Sequence, residues 1–158
     1  MFKNIYKNKK VLVLGHTGFK GSWLVNYFHF LGSNVYGISK NIITKPSHFK
    51  VSGIEKKIKN FKIDIRNKKE LEKKILQIKP DFIFHLAAQA IVKKSYEDPY
   101  ETYSSNVIGT LNVLESINQL SKIKKIISVI ITSDKCYENI ETNIGYKESD
   151  RLGGKDIY

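Results

Sequence analysis

Apolar residues fall into five short runs, separated by stretches whose apolar positions recur at helical spacing. Lys10 to Leu14, Val35 to Ile38, Phe61 to Ile65, Phe82 to Leu86 and Ile126 to Thr132 read as strands. Gly21 to Leu31 reads as a helix with Trp23, Leu24, Tyr27, Phe28 and Leu31 on one buried face. Lys68 to Ile78 reads as a polar helix with Leu71, Ile75 and Ile78 facing inward. Pro99 opens a long helix to about Leu120, at a position where a helix start tolerates proline. Residues 39–53, 87–98 and 133–158 read as irregular. Strands alternating with helices predict an α/β fold, a Rossmann-type doubly wound parallel sheet with right-handed crossovers. The last run, apolar throughout, predicts a strand buried on both faces. Only a polar loop follows it, so the fold is expected to be incomplete at the C-terminus, with residues 1–158 forming one partial domain.

Between the first strand and the first helix stand Gly15, Gly18 and Gly21. A strand, three glycines and a helix in that order point to a phosphate-binding turn. The first glycine allows a sharp turn, the second close approach of backbone N–H groups to a pyrophosphate, and the third close packing of helix on strand. The competing reading is a plain glycine turn. His16 sits between the glycines and is expected to flank the phosphates. The segment Tyr36 to Lys40 carries no acidic residue to hold a ribose 2′-hydroxyl, and Ser39 and Lys40 would tolerate a 2′-phosphate there.

Charge changes the picture little. The net charge is +12, from 27 Lys and Arg against 15 Asp and Glu. The lysines are scattered, with no basic helix and no RNA-binding aromatic signature, which predicts a solvated surface and no nucleic-acid partner. The charge would help attract an anionic substrate. The single cysteine, Cys136, excludes an internal disulfide and any multi-cysteine metal site, and is expected to be a packed small residue. No metal site is expected, and His29, His48 and His85 read as structural. No apolar run reaches membrane length and no secretory signal is evident, so a cytoplasmic protein is expected.

Five segments together resemble the extended short-chain dehydrogenase/reductase family, and within it the nucleotide-sugar 4,6-dehydratases. They are Gly15 to Leu24, Asp64 to Arg66, His85 to Gln89, Asn106 with Gly109, Thr110 and Asn112, and Thr132 to Asn139. Gly145 to Glu148 and Leu152 to Gly154 add support, and the resemblance covers essentially the whole chain. It implies a cofactor site of Gly15, His16, Thr17, Gly18, Phe19, Gly21, Asp64, Ile65, Leu86, Ala87, Ala88, Gln89 and Asn106, with Asp64 meeting the adenine. It implies NAD as the cofactor, while the residues themselves leave NADP open. It also implies a CDP-linked glucose as substrate and a homodimer of the full-length protein.

Catalysis is implied at Ser133, Asp134, Lys135 and Tyr158. Ser133 would hydrogen-bond the sugar's carbon-4 oxygen, and its alternative role is a turn cap. Asp134 would protonate the leaving hydroxyl, which demands a raised pKa; otherwise it is a turn aspartate. Lys135 stands where related dehydratases carry a Glu base, so it acts on carbon 5 only if deprotonated, or else polarises the ketone or contacts substrate. Tyr158 lies 25 residues after Ser133 and would be the Tyr of a Tyr-x-x-x-Lys pair whose Lys falls beyond the chain. A C-terminal nucleotide-sugar domain is likewise expected to be absent, which leaves the 158-residue piece inactive alone. Leu14 stands where many relatives have Thr, and Ile157 where close ones have Pro. Two other readings stay open: a nucleotide-sugar 4-epimerase or reductase on the same scaffold, and a non-catalytic dinucleotide-binding module.

Overall fold

A computed structural model describes residues 4–154 and 157. Five strands, β1 (Lys10–Leu14), β2 (Asn34–Ser39), β3 (Lys59–Lys62), β4 (Phe82–His85) and β5 (Ile127–Ile130), form one sheet in the order β3-β2-β1-β4-β5. Every pairing is parallel. The helices are α1 (Phe19–Phe30), α2 (His48–Val51), α3 (Lys68–Ile78), α4 (Val92–Glu97), α5 (Pro99–Tyr103) and α6 (Gly109–Ser121). The strand order reverses direction at β1, so the loops after β1 and β4 face each other across the crevice where α/β sheets bind ligands.

Alternation along β1 divides the core. Leu12 and Leu14 join Ile38, Ile83, Leu71, Ile75, Val113 and Leu120 beneath α3 and α6. Val11 and Val13 point the other way, to Val25, Phe28, Val35 and Phe49 beneath α1 and α2. Full burial of each such aliphatic side chain contributes about 1.5–3 kcal/mol. Asn112 ties α6 to the loop after β3 by donating to the Ile65 carbonyl at 3.0 Å. Gly109 permits the same approach, since a Cβ there would lie 2.6 Å from Ile65 Cδ1.

The structure corrects several expectations. Helix α1 starts at Phe19, and its buried residues are Gly21, Ser22, Val25 and Phe28. Gly21 sets that phase, because a Cβ there would stand 2.2 Å from the Gly15 carbonyl oxygen. Trp23 is thereby turned outward, 55% exposed, and stacks on His48 with centroids 4.3 Å apart. Strand β3 is short and ends at Lys62, so Asp64 and Ile65 lie in the loop beyond it. Residues 39–53 and 87–98 contain α2 and α4. The long helix from Pro99 is interrupted by a π-helical turn, Ser104–Ile108, that carries Asn106. Strand β5 is not buried on both faces: Ile127 and Val129, like the adjoining Ile131, are exposed because β5 is the outer strand of the described sheet and no helix among the described residues covers its α1-side face. Cys136 is exposed rather than packed.

Candidate cofactor and active site

The loops following β1, β2, β4 and β5 share the carboxyl edge of the sheet. Gly15 turns the chain with φ at 85°, its N–H donating to the Ile38 carbonyl at 2.8 Å. A Cβ at Gly15 would stand 2.7 Å from the Ala87 nitrogen, so the first glycine lets the loops after β1 and β4 touch. Packing therefore explains Gly15 and Gly21. It does not explain Gly18, whose φ is −69° and where a Cβ would meet nothing nearer than the Gly15 carbonyl oxygen at 3.4 Å. The protein itself does not require a glycine at 18, whereas a ligand seated on the loop would. Behind Gly18 opens α1, whose first turn carries no acidic residue and no side-chain cap. Its N–H groups and dipole are directed at the same spot. The residues present thus fit a dinucleotide pyrophosphate. Phe19 stands exposed beside this turn. Thr17 braces the loop, its hydroxyl donating to the Asn41 carbonyl at 2.7 Å and its N–H to Ser39 Oγ at 3.3 Å.

The His16 side chain is turned inward. It is buried beneath the loop, with its ring over Gly37, its Nδ1 3.0 Å from Ser39 Oγ, and Phe49 edge-on at 5.0 Å. Burial pushes its pKa below the ordinary 6.5, so it is a neutral wedge that props the loop. Glycine at position 37 vacates the space that the ring fills.

At the adenosine end, Asp64 belongs to a four-membered ion cluster. Arg66 donates from Nε to both Asp64 carboxylate oxygens at 3.1 Å and from Nη2 to one at 2.6 Å. Its Nη1 lies 2.5 Å from Glu101 on α5 and 3.3 Å from Ser104 Oγ. Lys40 Nζ lies 3.5 Å from both Asp64 and Glu101. The hydrogen bonds from Arg66, with the charges of Arg66 and Lys40, hold the Asp64 carboxyl down at about 2. Motif reading pointed to Asp64 but missed Lys40, Arg66 and Glu101 as its partners; Glu101 carries no local signal. Ile65 is core, its carbonyl taken by Asn112.

After β4, Leu86 donates its N–H to the Leu14 carbonyl, and Ala87 and Ala88 continue over the crevice. Gln89 is turned inward. Its main chain pairs with the Asn106 amide at 2.8 and 3.1 Å, and its side chain with Ile91 and Thr102. Both residues thus fasten the loop, and the Gln89 side chain is committed to the protein. Ser95, buried, bonds the Val92 carbonyl within α4. His85 is buried at the end of β4, 3.1 Å from Thr110 Oγ1, and burial holds its imidazole down at about 4.

Ser133 lies three residues past β5 and caps a 3-10 turn, Asp134–Cys136, accepting from the Lys135 N–H at 3.0 Å. The cap and the sugar contact use the same hydroxyl oxygen and do not exclude each other. The following stretch is more ordered than its composition suggests. Tyr137 bridges Leu152 antiparallel, Glu138 N–H donates to the Arg151 carbonyl, and the rings of Tyr137 and Tyr146 stack at 5.1 Å. A cleft of about 290 Å³ opens there, lined in part by Glu138, Tyr146, Lys147 and Arg151. Tyr158 lies outside the described residues. Among the described residues no cluster of three or more His, Cys, Asp or Glu could hold a metal, and no helix is long and apolar enough to cross a membrane.

A parallel sheet of this order, closed at its edge by a three-glycine turn and by the loop after β4 that Asn106 fastens, defines a Rossmann fold of the extended short-chain dehydrogenase/reductase kind. The chain belongs to the family described as GDP-mannose 4,6 dehydratase, whose sequence profile matches residues 12–158. It is 44% identical over 156 residues to the CDP-glucose 4,6-dehydratase of Salmonella typhimurium, a match that covers 99% of this chain and 43% of that protein. It is 33% identical over 129 residues to a GDP-mannose 4,6-dehydratase of Vibrio cholerae, covering 75% of this chain and 34% of that one. Among solved structures, the UDP-glucose 4-epimerase of Thermus thermophilus in complex with NAD superposes with a TM-score of 0.79 at 29% identity, covering 94% of this chain and 46% of the epimerase. The chain thus spans less than half the length of the relatives it matches.

Proposed function

We propose that this chain is the cofactor-holding portion of a nucleotide-sugar 4,6-dehydratase that converts CDP-glucose to CDP-4-keto-6-deoxyglucose and water. The observation that carries the reading is the run Ser133 to Tyr137 at the carboxyl edge, in the segment after β5, the strand next to β4, whose own following loop packs on the glycine turn. The similarity to the Salmonella enzyme supports CDP as the nucleotide. NAD is the cofactor this reading takes, supported by the NAD complex of the Thermus epimerase. The dinucleotide supplies a hydride acceptor that returns the hydride within the same turnover, so the reaction is redox-neutral overall.

The protein's residues handle protons and position. Tyr158 takes the carbon-4 hydroxyl proton as that carbon becomes a ketone, which acidifies carbon 5. Ser133 holds the carbon-4 oxygen. Asp134 gives its proton to the carbon-6 hydroxyl as it leaves as water. Lys135, deprotonated in the occupied site, takes the carbon-5 proton as water leaves and returns it to that carbon once carbon 6 is reduced. An acid and a base directly after Ser133 are what elimination needs and what epimerisation does not, which favours the dehydratase over an epimerase or reductase. A nucleotide-sugar domain beyond Tyr158 would complete the substrate site.

A homodimer fits the surface of α5 and α6. Tyr100, Tyr103, Val107, Leu111 and Leu114 recur every three or four residues along it, and all are exposed. Such a seam suits a second helix pair.

The test is an assay with NAD and CDP-glucose, with dTDP-glucose alongside, on a chain extended past Tyr158 to the length of its relatives. Alkaline absorbance of the 4-keto-6-deoxy product from CDP-glucose alone is expected. Formation of the carbon-4 epimer instead would replace this reading with the epimerase one.

A further inference from the structure

On the basis of the dehydratase reading above, we propose that Tyr146 is a positioning residue for the dehydration. Stacked on Tyr137, it locks the turn that carries Ser133, Asp134 and Lys135 against the strap of chain that leads on to Tyr158. The turn Asp134–Cys136 stands between two extended residues, Ser133 and Tyr137. Its Ser133 end is anchored, because β5 is paired to β4 and the Ile131 N–H donates to the His85 carbonyl at 3.0 Å. At its Tyr137 end the chain has left the sheet, and residues 151–154 return alongside it. The Gly153 N–H donates to the Cys136 carbonyl at 3.0 Å and the Glu138 N–H to the Arg151 carbonyl at 2.9 Å, with Tyr137 bridged to Leu152 between them. A Cβ at Gly154 would lie 3.1 Å from the Lys135 carbonyl oxygen, so the strap lies against the turn itself. In sequence Tyr158 follows soon after Gly154. One clamp therefore holds the turn and fixes the point from which the chain sets out to the Tyr158 base.

Tyr146 closes that clamp. The loop 139–150, which joins its two sides, has little core of its own. Ile140 and Ile144 are 68% and 73% exposed, against 39% for Tyr146. The Tyr146 ring lies parallel to that of Tyr137, with 4° between their planes and 5.1 Å between centroids. Its hydroxyl donates to Asn139 Oδ1 and accepts from the Ile140 N–H, each at 3.2 Å. A stacked aromatic pair contributes beyond the area it buries, whereas the exposed Glu138–Arg151 ion pair contributes little. Tyr146 thus reaches across the loop to pin the residue that ends the turn, and it acts through Tyr137.

Steady-state kinetics of the extended chain with CDP-glucose test this. Tyr146→Leu is expected to lower kcat about tenfold or more, because small displacements of catalytic groups cost that much. KM and NAD affinity should stay within about twofold of the parent, since uniform binding is untouched. Tyr146→Phe keeps the stack and should restore kcat to within about threefold of the parent. Arg151→Ala should change kcat by no more than about twofold, as suits an exposed ion pair. Gly154→Ala, which presses on the Lys135 carbonyl from the strap, should lower kcat with KM intact while Tyr146 stays in place. Cys136, exposed and the chain's single cysteine, reports on the turn without catalysis. Its alkylation by iodoacetamide in the 158-residue chain should quicken in Tyr146→Leu and return to the parent rate in Tyr146→Phe. Far-UV circular dichroism confirms that the variants fold. A Tyr146→Leu variant with the parent's kcat, or one whose loss lies in KM, overturns the proposal and leaves the dehydratase reading intact. An extended parent that forms no ketosugar removes the dehydratase reading and the proposal with it.

Discussion

The His16 imidazole lies against the bare backbone of Gly37, where an added Cβ would come within 2.3 Å of the ring's Cγ. Gly37 has no positive φ, so its lack of a side chain serves the ring and not the strand. Gly37→Ala should therefore act through His16, lifting the glycine turn. The expected cost is about 1–3 kcal/mol of stability, typical of overpacking, together with weaker dinucleotide binding. A double-mutant cycle checks the route by chemical denaturation: in a His16→Ala background the Gly37→Ala cost should shrink by about 1 kcal/mol or more. Strictly additive costs would show that the two residues act independently.

Gly18 and Gly21 should separate binding from folding. Gly18→Ala meets no close protein atom and requires no unusual φ. Its stability is expected to stay within about 0.5 kcal/mol of the parent, while NAD affinity falls at least tenfold, about 1.4 kcal/mol. Gly21→Ala drives a Cβ to 2.2 Å from the Gly15 carbonyl oxygen and should lower the melting temperature sharply before binding can be measured. Equal loss of stability in both would contradict a ligand-facing Gly18.

His85 should leave a signature in the pH dependence of stability. Its imidazole is held at about 4 in the folded chain, against an ordinary 6.5, because burial disfavours the charged form. Between those values the unfolded chain binds a proton that the folded chain refuses, so stability rises with pH from about 4 to 6.5 and falls as acid is added. The full span is worth up to about 3 kcal/mol. His16, shifted in the same direction, adds to the slope. Denaturation of His85→Gln across this range should show a flatter profile, and an unchanged slope would place the proton elsewhere.

The exposed seam on α5 and α6 makes dimerisation testable. Leu111→Glu with Val107→Glu should convert a sedimenting dimer of the extended chain to monomer without loss of helical content. Both side chains are already exposed, so the substitutions leave no cavity. A dimer that survives both charges would put the interface elsewhere.

Strand and helix types were legible because their apolar periods differ, and the Gly15–Gly21 turn was legible because three glycines interrupt an apolar run. What escaped depended on contacts distant in sequence. Trp23 reads as core by spacing, but the approach of Gly21 to Gly15 rotates α1 and turns the indole out to His48. Nothing near His16 in sequence shows that its ring turns inward, because the space it fills is left by Gly37, 21 residues on. Nothing near Gln89 shows that its backbone is clasped by Asn106. The partners of Asp64 come from the end of β2, its own loop and α5, and no local pattern joins them. Strand β5 reads as doubly buried because composition cannot tell which face lacks a covering helix.

That outer strand also bears on how the protein behaves in a test tube. Among the described residues no strand pairs with β5 on the side away from β4, so in the 158-residue chain that side offers a row of main-chain groups beside the exposed Ile127 and Val129, and such an edge can template pairing with another chain. The +12 charge opposes this by keeping molecules apart. Salt weakens only the second effect, since screening contracts to about 10 Å at 0.1 M and about 3 Å at 1 M. The chain's colloidal stability should therefore run opposite to the usual laboratory habit of adding salt to keep a basic protein dispersed: dilute buffer preserves it, and concentrated buffer invites it to stack edge to edge.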